Sequence, residues 1–126
     1  MDRKKVETFK DLVVWQKSHQ LTLEIYNSTK KFSKKESTSL AEQLRQSVAP
    51  IPINIARGFK KRGKKNKIHY YQQAFMIVEV VRYYLILSQE LGEYKEPEAS
   101  LELCDDIERM LKRLIRSVAA PREQKQ

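Results

Sequence analysis

Four stripes of apolar residues, each with the spacing of one face of an α-helix, most strongly constrain what this chain can fold into. In chain order the stripes are Val14, Leu21, Ile25 and Phe32; Leu40, Leu44, Val48, Ile51 and Ile55; Ile68, Tyr71, Phe75, Val78, Val81 and Leu85; and Leu101, Cys104, Ile107, Leu111, Leu114 and Val118. Steps of three and four residues recur throughout. The sequence therefore predicts four amphipathic helices.

The ends of the stripes predict the helix boundaries. We expect a first helix over residues 12–32, a polar break over 33–36 and a second helix that stops near Gly58, because glycine suits a C-terminal cap. Pro50 and Pro52 predict a kink or local unwinding inside that second helix, since neither can donate a backbone hydrogen bond. The third helix should stop near Gly92, and the fourth should begin at Pro97.

Three glycines and four prolines in 126 residues leave little material for hairpins, and the length suits one domain. Short connections between long helices favour an all-α, antiparallel up-down four-helix bundle. We assign residues 1–11 to a polar N-terminal segment, 12–120 to the bundle and 121–126 to a disordered tail.

The third helix carries apolar and aromatic residues outside its main stripe, among them Tyr83, Tyr84 and Ile86. A helix that is apolar around most of its circumference needs burial beyond its own bundle, which predicts a homo-oligomer with Tyr83 or Tyr84 and Ile86 near the subunit contacts. The alternative is a wide core face with a few exposed tyrosines.

The net charge of +9 is concentrated in one region. Residues 43–78 contain eight basic residues and no acidic one, and removing those eight from the 25 basic residues leaves 17 against 16 acidic residues. Such a local excess is typical of an interaction surface.

The run Arg57-Gly-Phe-Lys-Lys-Arg-Gly-Lys-Lys-Asn-Lys67 holds seven of these cations in eleven residues. Their mutual repulsion favours an anionic partner, and the phosphate backbone of RNA or DNA fits best. His69, Tyr70 and Tyr71 follow at once and could stack on unpaired bases, although Tyr71 also falls on the core stripe. The alternative is a solvated turn. The predicted nucleic-acid-binding residues are Arg57, Lys60, Lys61, Arg62, Lys64, Lys65, Lys67 and Tyr70.

The sequence contains none of the motifs that we tested for catalysis or cofactors. His19 and His69 lack the Glu-x-x-His pairs of di-iron bundles, and no zinc spacing, G-x-S-x-G elbow or phosphate loop is present. We therefore expect no catalytic residue, metal, cofactor or small-molecule substrate. Glu79 lies in an apolar stretch, and we expect it to be buried and paired with Arg82 or Arg45.

Cys104 is the only cysteine and falls on the stripe of the fourth helix, so it should be a buried apolar residue and not a nucleophile. A lone cysteine, a charged N-terminus and the lack of any long apolar run predict a cytoplasmic protein without a membrane span.

Three blocks of sequence resemble a known family: Phe9-Lys-Asp-Leu-Val-Val-Trp-Gln-Lys17, Leu40-x-x-Gln-Leu-Arg45 and Ile51-Pro-x-Asn-Ile-Ala-x-Gly58. Over residues 9–118 the chain resembles the four-helix-bundle proteins encoded in intervening sequences of bacterial 23S ribosomal RNA, whose relatives include accessory variability proteins of diversity-generating retroelements. The resemblance implies a homopentameric barrel without enzymatic activity. For retroelement members it implies binding to a reverse transcriptase and to nucleic acid.

This sequence departs from the family pattern at Pro50, where serine is typical, and at Arg57, where glutamate is typical. The second change extends the cationic run and favours the retroelement role. Our first hypothesis is therefore a non-catalytic, nucleic-acid-binding accessory protein of a reverse transcriptase. The alternative is a structural assembly protein of the intervening-sequence type whose basic turn binds an acidic protein.

Overall fold

The structure, a computed structural model, describes residues 5–32 and 35–121. Within these ranges the chain forms one short 3-10 helix and five α-helices, and no strand. The 3-10 helix is Phe9–Asp11, and the α-helices are α1 (Val13–Thr29), α2 (Lys35–Val48), α3 (Pro50–Lys60), α4 (Lys64–Glu90) and α5 (Glu98–Ala119).

The 3-10 helix gives structure to the end of the predicted polar segment 1–11, of which residues 1–4 lie outside the described part. A capping box holds it: the Thr8 hydroxyl accepts the N–H of Lys10 at 3.2 Å, and the Asp11 carboxylate accepts the N–H of Thr8 at 3.0 Å. At the other end of the chain, residues 122–126 of the predicted tail also lie outside the described part.

The predicted second helix is divided into α2 and α3 at Ala49. Pro50 and Pro52 cannot donate the helical hydrogen bonds that their positions require, so the helix is interrupted where the sequence predicted a kink or local unwinding. Ala49 nevertheless keeps helical angles, with φ −59° and ψ −36°. Its N–H lies 3.5 Å from the Arg45 carbonyl oxygen, and its own carbonyl accepts the N–H of Ile53 at 3.4 Å.

The end of α4 follows the prediction closely. Gly92 has a φ of 80°, and its N–H donates to the carbonyl of Gln89 at 2.9 Å while the N–H of Glu93 donates to the carbonyl of Ser88 at 3.0 Å. This pair of bonds is a Schellman motif, which favours glycine at its left-handed position. Pro97 precedes α5 as its N-cap and accepts the N–H of Leu101 at 2.8 Å.

The apolar stripes meet in one core, which confirms the prediction of an all-α helical bundle. Every α-helix contributes buried side chains, including Leu21 and Ile25, Leu44 and Val48, Ile51 and Ile55, Val78 and Leu85, and Ile107 and Leu111. Among the described residues α4 packs on α2, α3 and α5, and α1 packs on α2, α3 and α5. The joined α2 and α3 thus act as one of four rods, and α1 and α4 lie diagonally across the core.

The outer face of α4 is apolar as well. Its core side buries Tyr71, Ala74, Val78, Val81 and Leu85. On the opposite side lie three apolar side chains with exposed fractions of 62%, 46% and 59%: Met76, Val80 and Tyr83. Their steps of four and three residues place them in one stripe, which we call the outer face of α4.

The expectation for Glu79 is half right. It pairs with Arg82 and not with Arg45, but its side chain is 61% exposed, so the expected burial is wrong. Arg82 also binds Asp105 at 3.0 Å and Glu108 at 3.1 Å, which ties α4 to α5.

Candidate nucleic-acid interface

The cationic run forms the tip where α3 ends and α4 begins. The sequence predicted that the helix before the run stops near Gly58, but the non-helical part is only residues 61–63. Arg57 and Lys60 therefore lie on the last turn of α3, and Lys64, Lys65 and Lys67 lie on the first turn of α4. Two helix ends hold the charges in place instead of a long loop.

Gly58 does not end α3, contrary to the prediction. It is buried within the helix, where the ring of Tyr71 packs against it. A Cβ at this position would lie 2.6 Å from Cε1 of Tyr71, so only glycine allows the two helices this approach. Tyr71 is 2% exposed, and burial raises the pKa of its hydroxyl. Tyr71 therefore belongs to the core and is not available to bases.

Lys67 stabilises the end of α3. Its ammonium group donates to the carbonyl of Phe59 at 2.7 Å and to the carbonyl of Gly58 at 3.2 Å, and it lies 5.6 Å from the centre of the Phe59 ring. The side chain is half-buried. These carbonyls form the negative end of the α3 dipole, so a cation there is favourable. This predicted phosphate ligand is thus engaged within the protein.

Lys64 has a similar but exposed contact. Its ammonium group donates to the carbonyl of Ala120 at 2.8 Å, just after the end of α5. The C-terminal end of α5 therefore lies beside the basic tip. Because Lys64 is exposed, its charge still contributes to the potential of the surface.

Five cations at the tip are exposed and bind no carbonyl of the described residues: Arg57, Lys60, Lys61, Arg62 and Lys65. We call them the basic tip. Lys61 lies 5.5 Å from the centre of the Tyr70 ring, and Lys60 lies 5.8 Å from that of Phe9. Within residues 5–32 and 35–121, the ion pairs all lie elsewhere, around Asp106 and Arg82. The basic tip therefore carries charge that the described acidic residues do not neutralise.

The start of α4 adds to this positive potential. Its N-cap is Gly63, with a φ of 84° and no side-chain cap, and its first turn contains no acidic residue. An N-terminal helix end carries the positive pole of the dipole and unpaired N–H groups. Three lysines at this end repel the positive pole, which is unfavourable for an isolated helix. A bound anion would reduce this repulsion and would accept hydrogen bonds from the unpaired N–H groups.

Tyr70, the one predicted aromatic ligand, lies at the side of the tip. It is half-buried, its ring centre is 5.0 Å from that of His69 with the planes at 81°, and Lys61 lies over it. His69 is exposed. The structure thus brings Tyr70 together with the cations, as predicted.

A second aromatic cluster near the tip was not identified as a site from the sequence. The ring centres of Phe9 and Trp15 are 5.1 Å apart, and those of Trp15 and His19 are 5.0 Å apart. Phe9 and Trp15 lie in the first block of the resemblance, where their spacing gave no functional signal. The contact of Lys60 with Phe9 joins them to the basic tip.

Two other groups of charged side chains lie on the bundle, around Asp106 and around Arg82. Hydrogen bonds from Arg109 and Lys17 lower the pKa of Asp106, and the bond from Lys17 joins α1 to α5. Burial lowers the pKa of Arg82, but the carboxylate of Glu108 and hydrogen bonds to Asp105 and Glu108 outweigh it, so the pKa is raised. Cys104 is fully buried as predicted, and burial raises the pKa of its thiol to about 12.

In the described part of the chain, no group of three or more His, Cys, Asp or Glu side chains could hold a metal ion. No helix there is long and apolar enough to cross a membrane.

The family model of the 23S rRNA-intervening sequence proteins matches residues 10–116 of the chain. No match is found among curated proteins.

Proposed function

Because the chain belongs to the family of 23S rRNA-intervening sequence proteins, with its basic tip at one end of the helical bundle, we propose that it is a non-catalytic oligomer that binds nucleic acid. The observation that carries this proposal is the basic tip: five exposed cations, next to a helix N-terminus, that form no ion pair with a described acidic residue. Such a surface attracts phosphates mainly by releasing counterions.

In this proposal the five residues of the basic tip contact phosphates directly, and Lys64 adds to the potential from the side. Lys67 holds the end of α3, so its contribution to phosphate binding is smaller. Tyr70 supports Lys61 and offers one edge to a sugar or base. Because contacts to phosphate read no base sequence, we expect binding of RNA and DNA without sequence preference.

We further propose that the four rods run up and down in an antiparallel bundle and that five copies assemble into a ring. The outer face of α4 supports this assembly, because Met76 and Tyr83 are each more than half exposed although they sit on one stripe of a central helix. Tyr83 and the partly exposed Ile86 stay candidates for the contact, whereas Tyr84 packs against the core. A ring would repeat the basic tip several times on one assembly.

The partner that we propose for this assembly is the reverse transcriptase of a diversity-generating retroelement, which the protein would serve in the cytoplasm by holding template or product against the enzyme. The support is the resemblance of the three sequence blocks and the basic residue Arg57, which is exposed on the tip. A reverse transcriptase gene next to the gene for this protein, and co-purification of its product with the protein, would support the partnership.

The test of nucleic-acid binding is retention of the full chain on immobilised RNA at moderate salt, with elution as salt rises. A matched column that carries an acidic protein in place of RNA separates the two hypotheses. Retention on RNA supports the proposal. Passage through RNA with retention on the acidic protein would support the assembly protein instead.

A further inference from the structure

The aromatic cluster of Phe9, Trp15 and His19 continues the basic tip onto the surface of α1. Phe9 meets Trp15 edge to face, with the ring planes at 66°, and Trp15 stacks on His19 with the planes at 13°. Trp15 and His19 are four residues apart on α1, the spacing at which helical side chains meet. The three rings therefore form one short strip, which we call the aromatic strip.

The 3-10 helix positions the first ring of the strip. The Thr8 and Asp11 capping box fixes the segment, and the side-chain amide of Gln16 donates to the backbone carbonyl of Lys10 at 2.8 Å. These bonds hold Phe9 against Trp15. Asp11 accepts backbone N–H groups of Glu7 and Thr8, so its carboxylate serves the cap.

The outer end of the strip is open. His19 is exposed, and its ring contact among the described residues is with Trp15. A flat ring stacked nearly parallel on a half-buried tryptophan leaves its other face to solvent, where a further flat group can extend the stack. At the inner end, the ammonium group of Lys60 lies beside Phe9 and can hold a phosphate.

We infer that the aromatic strip is a stacking site for unpaired bases, with His19 as the ring that a base contacts and Trp15 as its support. A strand whose phosphates follow Lys60 and the basic tip places its bases along the strip. Unpaired bases offer free faces for stacking, whereas a duplex offers them only at its ends. The protein should therefore prefer single-stranded over double-stranded nucleic acid, an inference that rests on the proposed function.

Trp15 is the only tryptophan of the chain, so its fluorescence reports on this strip alone. The experiment titrates the full chain with a fluorescently labelled oligothymidylate and, separately, with a duplex hairpin of equal charge. Anisotropy of the label measures binding, and emission of Trp15 measures stacking. The variant is His19→Ala, and the control is Gln20→Ala, an exposed neighbour on the same helix.

We expect the oligothymidylate to quench Trp15 and His19→Ala to weaken its binding about tenfold, the effect of losing one base–aromatic stack. Affinity for the hairpin should change less than about twofold in both variants, because substitutions of exposed residues that make no contact with the ligand have small energetic effects. If the oligonucleotide binds but leaves Trp15 emission and the affinity of His19→Ala unchanged, the inference is wrong and the proposed function stands. Quenching without loss of affinity in His19→Ala would also overturn it. Absence of binding by anisotropy would refute the proposed function itself.

Discussion

The ring of Tyr71 packs directly on the Cα of Gly58, so that a Cβ at Gly58 would lie 2.6 Å from Cε1 and 2.8 Å from Cδ1 of the tyrosine. This contact brings the end of α3 against the beginning of α4. The position of the basic tip therefore depends on a buried glycine and a buried aromatic ring.

Gly58→Ala should destabilise the protein although alanine is the better helix former. The propensity gain is about 1 kcal/mol, whereas overpacking at a rigid ring costs about 1 to 3 kcal/mol. Because neither Gly58 nor Tyr71 has room to move, we expect a net loss of about 1 kcal/mol in the free energy of unfolding, measured by urea denaturation. In a Tyr71→Leu background the same substitution should cost much less. Equal stability of Gly58→Ala and the parent would contradict the contact.

Lys67 and Lys65 should behave as opposites, although they are two residues apart on the same helical turn. Lys67→Met removes the ammonium group from the carbonyls of Gly58 and Phe59, so we expect a loss of about 1 kcal/mol in stability. Lys65→Met should leave stability nearly unchanged and weaken binding to RNA. Thermal unfolding and RNA titration of both variants give the comparison. If Lys67→Met weakened RNA binding more than Lys65→Met at equal stability, Lys67 would be a phosphate ligand.

The buried thiol of Cys104 should make stability depend on alkaline pH. Its folded-state pKa is raised to about 12, whereas an unfolded thiol titrates near about 8.5. The folded state thus favours the neutral thiol, so the thiol's contribution to the free energy of unfolding is fully present below the unfolded pKa. As the pH rises from there to about 12, the unfolded state loses its proton first and this contribution is lost progressively. Urea denaturation as a function of pH measures this loss, and Cys104→Ala should flatten the part that the thiol contributes. An identical pH profile in the alanine variant would contradict it.

The outer face of α4 should carry the assembly. Met76→Lys with Tyr83→Lys places two charges on this face, and burying unpaired charges in an interface is costly, so we expect dissociation to monomers. Light scattering at micromolar protein measures the mass. Leu91→Lys is the matched control, because Leu91 is 55% exposed but lies after the last residue of α4. A parent protein that is monomeric, or a double variant that keeps the oligomeric mass, would contradict the proposed interface.

Periodicity predicted most of the fold because burial follows it directly. Val14, Leu21 and Ile25 are buried on α1 as expected, and the break near Pro50 and the stop near Gly92 follow from backbone chemistry. The errors concern what a residue contacts in three dimensions. Glycine commonly ends a helix, but Gly58 lies inside α3 and contacts the ring of Tyr71 on α4. No local sequence pattern predicts such a contact between helices.

The candidate site was predicted in part for the same reason. Local charge density identified the basic tip, because residues that are adjacent in sequence stay close in space in any fold and therefore repel one another. It could not show that Lys67 turns back onto α3, since that contact requires the geometry of the turn. Phe9 and Lys60 are distant in sequence, so their contact, and with it the aromatic strip, became visible only in the folded chain.

The last prediction concerns binding by the basic surface as a whole. Replacement of Lys60, Lys61, Arg62, Lys64 and Lys65 by glutamine should weaken RNA and DNA binding similarly for different sequences. Each phosphate contact with duplex DNA contributes about 0.9 to the slope of log affinity against log salt, and about 0.7 with single strands, so the slope should become several units shallower. If the protein is an oligomer, one strand could cross several tips and the change would be larger.

The control for that variant replaces five exposed cations elsewhere by glutamine, namely Lys30, Lys31, Lys35, Lys112 and Arg113. Both variants lose the same net charge, so a difference between them reports the position of the charges and not their number. Circular dichroism should show both folded, because exposed charges contribute little to stability and relief of repulsion at the tip is favourable. The control should keep most of the parent's salt slope, since Lys30, Lys31 and Lys35 lie around the junction of α1 and α2 and Lys112 and Arg113 lie within α5, none of them at the junction of α3 and α4. If instead the folded tip variant keeps the parent's affinity and slope, or if both variants lose them equally, the basic tip is not the surface that binds nucleic acid.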